Sequence, residues 1–406
     1  MRAPLAPREA WGRFRLPALA CLALLALGYA RTAPGTALTA PWAYRSWAFD
    51  ALAYSDVIAL HADRGAGRHR FPYVEDRIEY PVLLGVGMWL PSLVAPRPAA
   101  YFALTYAALS LCALAALWLL CALPGTKPWA LAASPALVVY AGLNWDLYGI
   151  ALLLLGAWLW ARGRERWAAV VLGLAVWTKL FPLVLLVLLL LTARRRGLRH
   201  ALGLAALAAA ASLAVNLPFA FAGSTSRENW LWFFRYGSIR EIEPSLYLLF
   251  GADRRGFVRR ANVICFVATV AGMAVLAALE LRTRRLDPLS AATALTCLFF
   301  VANKVFSPQY WLWVVALLAL AGAPAWLAIA TGAMALVDYG VSFHALHLID
   351  QRAWAQWQWF HRSVFVPALW LRYVTLGACG AGAAAHLLRP VFPMRLGSAA
   401  RGAGRR

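Results

Sequence analysis

The sequence predicts an all-α, polytopic integral membrane protein of about 12 transmembrane helices. Three observations predict it. The chain is 63% hydrophobic and only 14% charged, far too apolar for a soluble protein of 406 residues. Apolar runs recur along its whole length, many of them near the ~20 residues that a bilayer-crossing helix needs. Its arginines gather in short clusters between those runs, which is the pattern of cytoplasmic loops. The net charge of +22 is therefore no sign of a nucleic-acid partner, because no basic stripe alternates with stacking aromatics on a polar domain.

Taken in order, Arg2, Arg8, Arg13 and Arg15 precede the apolar run 16–30 and place the N-terminus inside. A cleaved signal peptide begins alike, but the many later runs favour an uncleaved first helix. Further clusters are Arg162, Arg164 and Arg166; Arg194, Arg195, Arg196 and Arg199; Arg282, Arg284 and Arg285; and the tail with Arg389, Arg395, Arg401, Arg405 and Arg406. Keeping all of them inside sets a parity test. The run 81–94, "PVLLGVGMWLPSLV", would break that parity if it crossed. With fourteen residues and prolines at 81 and 91, it is expected to lie in or dip into the outer interface. Spans then fall near 15–33, 99–122, 129–142, 146–161, 166–178, 181–193, 201–222, 261–281, 288–302, 308–321, 323–339 and 364–388. The result is a single transmembrane domain over 1–406, with both termini cytoplasmic and extracytoplasmic loops at 34–98, 223–260 and 340–363. The six cysteines are scattered through apolar segments, so no disulfide framework and no metal spacing is expected.

This topology sends an unusual set of polar residues outward. Six of the seventeen acidic side chains lie between Asp50 and Glu79: Asp50, Asp56, Asp63, Glu75, Asp76 and Glu79. Asp63, Glu75 and Asp76 have arginines beside them and read as a solvated loop. Asp56, in "AYSDVIAL", has apolar and aromatic neighbours. Partial burial there would raise its pKa and suit a general base, while a purely structural role remains open. The loop 223–260 carries seven arginines against the positive-inside tendency. Arg254 to Arg260 border the next span and read as headgroup anchors. Arg235 and Arg240, in "FFRYGSIREIEPSLY", lie away from the apolar runs and read as anion ligands.

Lysine usage sharpens the pattern, for only three lysines stand against 36 arginines. Two of them, Lys179 in "VWTKLFPL" and Lys304 in "VANKVFSPQYW", fall in outer breaks between apolar runs. Each has either a ligand or a carboxylate partner such as Asp146 to explain it. "FHALHLIDQ" offers His344, His347 and Asp350, but no clear further ligand. The following Trp354, Trp357 and Trp359 favour an interfacial segment over a metal site. Metal ligands, a Gly-rich phosphate loop and a Ser/His/Asp set are not expected. An outward site of one carboxylate loop and convergent cations suits a lipid-linked, phosphate-bearing substrate.

In order along the chain, "YSDVIALHADRG", "FPYVEDRIEYPVL", "NWDLYGIALLLLGAWLWARGRERWAAVVLGLAVWTKLFPLVLL", "WFFRYGSIREIEPSLYLLF" and "NKVFSPQYWLWVVAL" resemble the bacterial glycosyltransferase family 87 over roughly residues 50–320. The resemblance implies a C-type glycosyltransferase architecture and an inverting transfer from a polyprenyl-phosphate-sugar donor, with no nucleotide, cofactor or metal. Mannose is the sugar it implies, and the acceptor is a lipid or glycan at the outer face of the cell membrane. Asp56 matches the position of the catalytic aspartate, and Glu79-Tyr80-Pro81 an acidic-Tyr-Pro motif. The substrate-binding set expected from these segments is Glu79, Tyr80, Asn144, Asp146, Lys179, Arg235, Arg240, Asn303, Lys304 and Gln309, with membrane lipids as further partners. The competing readings are a lipid-linked sugar transporter or flippase and a non-catalytic envelope-assembly protein. Transport would favour ionisable groups at midplane and two related halves, whereas Glu280 lies near an inner end and Asp338 near an outer one.

Overall fold

The computed structural model describes residues 4–38, 40–63 and 69–388. Arg2 and the tail arginines lie outside these residues, as does the side chain of Asp63. In chain order the α-helices are α1 (Pro7–Thr32), α2 (Pro41–Asp50), α3 (Asp56–Asp63), α4 (Val82–Trp89), α5 (Pro98–Ala122), α6 (Pro128–Ala132), α7 (Ala136–Tyr140), α8 (Asp146–Ala161), α9 (Glu165–Ala175), α10 (Pro182–Ala193), α11 (Leu198–Phe221), α12 (Ser224–Ile239), α13 (Leu246–Leu249), α14 (Val258–Thr283), α15 (Pro288–Ala302), α16 (Tyr310–Ala321), α17 (Ala325–Asp350), α18 (Trp354–Phe360) and α19 (Val366–Ala384). A π-helical turn, His361–Phe365, joins α18 to α19. Proline opens α1, α2, α5, α6, α10 and α15, where its fixed φ suits the first turn and its missing N–H has no helical partner to lose. Asp287 caps α15 by accepting from Ser290 N at 2.9 Å.

Among the described residues, six segments are long and apolar enough to cross a membrane: 7–37, 98–122, 198–221, 258–283, 325–350 and 354–384. Of the shorter helices, α8, α15 and α16 pack inside this set. Every residue of α16 from Trp311 to Ala321 is buried, and at 1.5 Å per residue its twelve residues reach only about 18 Å. It ends within the protein because protein, not lipid, surrounds it. Gly322 ends α16 at φ 68°, where a Cβ would stand 2.3 Å from the Gly125 carbonyl oxygen. Gly173 similarly lets α9 approach the backbone of α11 at Ala208. By contrast α14 buries only Ala261, Leu276 and Glu280, so most of it faces outward from the bundle.

Three boundaries differ from the sequence reading. The segment 129–142 is two five-residue helices, because Ser134-Pro135 interrupts the first before it can continue. α17 runs on to Asp350, so much of 340–363 is helix and "FHALHLID" is its last two turns. The last long segment starts at Trp354 rather than 364, its apolar tryptophans continuing the helix through the π turn. The 81–94 run is α4 followed by a 3-10 turn at Leu90–Leu93; α4 has eight residues and is too short to cross.

Candidate active site

Three breaks between short apolar helices meet the segments 34–98 and 223–260. They are 141–145 before α8, 176–181 between α9 and α10, and 303–309 between α15 and α16. Each break frees backbone carbonyls that need partners away from water. Each finds one at the start of a short helix or on a loop: Leu143 O accepts from Asp56 N of α3 at 2.8 Å, Trp177 O from Leu83 N of α4 at 2.8 Å, and Lys304 O from Glu243 N at 3.1 Å. The interrupted helices thus hold the loops that carry the acidic and arginine segments.

Between them lies a cavity of about 750 Å³, within the size range of small-molecule sites. Asp56, Glu79, Tyr80, Lys179, Arg240, Asn303, Lys304 and Gln309 all line it. Asn144 and Asp146 stand just behind this wall. The amide nitrogen of Asn144 donates to Asp56 Oδ2 at 2.8 Å and to the Tyr80 hydroxyl at 2.9 Å. Asp146 is fully buried, 3.3 Å from the Lys179 ammonium, and accepts from the Trp313 indole at 2.6 Å. Of the two explanations open for Lys179, the carboxylate partner is therefore present. Arg235 is exposed on α12 and does not line the cavity, since α12 turns it away from the face that presents Phe233, Tyr236 and Gly237.

Asp56 is half-buried at the start of α3, whose first-turn N–H groups favour a negative charge. Burial nonetheless raises its pKa, against the lowering effects of the Asn144 amide, the Tyr54 hydroxyl, Lys179 and Arg240. The Lys179 ammonium lies 5.5 Å from the Tyr80 ring centre and 5.6 Å from that of Tyr310. Arg240 pairs with Glu243 at 2.5 Å. Lys304 donates to Ser238 O at 3.1 Å, and among the described residues it has no carboxylate within ion-pair distance. Burial and the neighbouring Arg240 push the Lys304 pKa down. The cavity lining thus combines the Asp56 and Glu79 carboxyl groups with the Lys179, Arg240 and Lys304 cations.

The cavity also takes in Asn262, Cys265, Phe266 and Thr269 on one face of α14, with Phe233, Phe234 and Phe299 nearby. Sequence reading missed this wall. Its trace was there: Asn262, Cys265 and Thr269 break an otherwise apolar run at intervals of three and four, the spacing of a single helix face. Tyr54 was also missed, although it stands two residues before Asp56.

The two buried acids that a transport reading would draw on are both neutralised by arginine. Glu280 pairs with Arg195, and Asp338 pairs with Arg372, which also donates to Pro244 O at 2.6 Å.

No curated protein and no solved structure matches the chain. The family model of glycosyltransferase family 87 matches residues 79–308. That range takes in all three breaks except Gln309, the whole arginine loop and the exposed α14 wall, and it begins after Asp56, which lies outside it. Covering more than half of the 406 residues, it shows that the chain belongs to glycosyltransferase family 87 and is a membrane glycosyltransferase.

Proposed function

We propose that the protein transfers a hexose, mannose by preference, from a polyprenyl-phosphate-sugar donor to a lipid or glycan acceptor, with inversion, at the extracytoplasmic face of the cell membrane. The observation that carries this reading is one cavity in which a half-buried carboxylate faces two cations and whose remaining wall is an outward-facing helix. Asp56 takes the proton of the acceptor hydroxyl as its oxygen attacks the anomeric carbon. The bond from that carbon to the phosphate oxygen breaks, and the electron pair leaves on the phosphate. Lys304 and Arg240 stabilise the charge that develops there. Lys179 adds a third positive group, partly neutralised by Asp146. Phe266 of α14, with Phe233, Phe234 and Phe299, gives the polyprenyl chain an apolar path from the cavity into lipid. The parity of the arginine clusters supports an extracytoplasmic site.

Incubating membranes with radiolabelled polyprenyl-phosphate-mannose, with and without the protein, tests this. A new mannosylated lipid or glycan is expected only with it. Label that crosses the membrane without forming a new glycosidic bond would support transport instead.

A further inference from the structure

Asn144 was expected to bind substrate, yet its side chain is fully used within the protein. It is 1% exposed. Its amide nitrogen carries two hydrogens, and two acceptors lie within reach: Asp56 Oδ2 at 2.8 Å and the Tyr80 hydroxyl at 2.9 Å. Its carbonyl oxygen accepts from Trp145 N at 2.7 Å, which fixes the orientation of the amide. The neighbouring backbone holds the same loop, through Leu143 O to Asp56 N at 2.8 Å and Gly142 O to Ser55 Oγ at 2.6 Å. Tyr80 in turn presents its ring to Lys179. One side chain thus joins the carboxylate to the wall that bears a cation.

We propose that Asn144 is a positioning residue rather than a substrate ligand: it holds Asp56 in register with Tyr80 and sets which of their hydrogen-bonding groups remain for substrate. A carboxylate has about four acceptor sites. Asn144 and the Tyr54 hydroxyl take two, leaving the others for the acceptor's proton. Because the Tyr80 oxygen accepts from Asn144, its own O–H is left to donate into the cavity, and burial keeps that phenol protonated. This assignment rests on Asp56 being the base. The ionisable groups around Asp56 are Tyr54, Tyr44 from α2, Tyr339 from α17, Tyr80, Lys179 and Arg240, with Glu79 acting on Tyr80. Asn144 and the neutral Tyr54 hydroxyl are the two groups that hydrogen-bond the carboxylate directly, and only Asn144 links it to Tyr80.

The test reads Asp56 without any substrate. A hydrophobic carbodiimide modifies protonated carboxyl groups, and mass spectrometry of the purified full-length protein gives the pH at which Asp56 is half-modified. Loss of one hydrogen bond to the carboxylate in Asn144→Ala is expected to raise that midpoint by about 1–2 pH units. Asn144→Asp, which keeps the shape but sets a second carboxyl against the first, is expected to raise it at least as far. With polyprenyl-phosphate-mannose as donor, the acid limb of the transfer rate should move with the midpoint, and kcat should fall at least tenfold with donor KM within twofold. A midpoint that stays put in both variants overturns the proposal, as does a tenfold rise in donor KM with no change in midpoint. If Asn144→Ala does not fold, the isosteric Asn144→Asp decides. Failure of the base reading shows separately, as an Asp56→Asn protein that still transfers sugar.

Discussion

Asp56→Asn removes a proton acceptor and little else. The Asn144 amide that donates to Oδ2 can donate equally to the new carbonyl oxygen, and the backbone bond from Asp56 N to Leu143 O is untouched. Folding and membrane insertion are therefore expected to survive. Turnover is not. General-base assistance supplies about 10²–10⁴ in rate, which at about 1.36 kcal/mol per tenfold is roughly 2.7–5.5 kcal/mol of barrier. The assay is the initial rate of hexose transfer from polyprenyl-phosphate-mannose, measured on the solubilised full-length protein with donor saturating. Glu75→Gln is the control, because Glu75 is exposed and its carboxylate accepts from Phe71 N at 2.7 Å, away from the cavity. The wild-type pH profile checks the same idea. A base works ionised, and burial raises the pKa of Asp56, so activity should be present at neutral pH. It should be lost as pH falls through a value above the ordinary ~4 of an aspartate. Near-normal transfer by Asp56→Asn together with an inactive Glu79→Gln would move the role to Glu79. If both retain activity, carboxylate catalysis from this cavity is refuted.

The remaining predictions concern cations, packing and topology. Arg240→Ala and Lys304→Ala should raise donor KM at least tenfold, whereas Arg259→Ala and the exposed Arg235→Ala should stay within twofold; equal, mild effects at all four would make the arginines of 223–260 and Lys304 mere anchors. Arg372→Met leaves Asp338 buried with only its Trp311 and Ser342 hydrogen bonds, which typically costs about 3–5 kcal/mol; a marked fall in the thermal midpoint in detergent is expected, and an unchanged midpoint would refute a stabilising role for the pair. In a background free of native cysteines, Asp50→Cys should react with an impermeant thiol reagent on intact cells and Arg166→Cys only after permeabilisation; both positions are exposed, so labelling of both from one side would contradict the parity of the arginine clusters.

Helices were the legible part of this chain, because the bilayer leaves backbone polar groups few alternatives to i→i−4 pairing. Each predicted span coincides with a helix or a helix pair. The failures of boundary have local causes. Ser134-Pro135 breaks an apolar run that hydropathy reads as continuous, and α17 and α18 extend into sequence whose histidines and glutamines look like loop. Charged residues in helix breaks were legible for the same reason, since a lysine in "VWTKLFPL" has to meet either a ligand or a carboxylate. The face that a helix turns inward was less so. Arg235 and Arg240 lie five residues apart on and just beyond α12, about 500° of helical rotation at 100° per residue. They therefore point in different directions, and only Arg240 reaches the cavity.

The Lys179–Asp146 pair bears on how the cations divide the work. A buried carboxylate without a counter-charge would be costly in this interior, so Lys179 has a structural reason to be where it is, whatever the substrate. Its positive charge is shared with Asp146 and its position fixed between the Tyr80 and Tyr310 rings. Lys304 has no such partner among the described residues, and Arg240 is held by a half-exposed glutamate that an incoming phosphate can displace. Burial beside Arg240 already lowers the pKa of Lys304. A dianionic or monoanionic phosphate placed between the two would relieve that repulsion, so binding and protonation of Lys304 favour each other. The strongest call for an anion in the cavity thus comes from the 303–309 break and the end of α12, which line the same cavity as Asp56 and the Asn262–Thr269 face of α14.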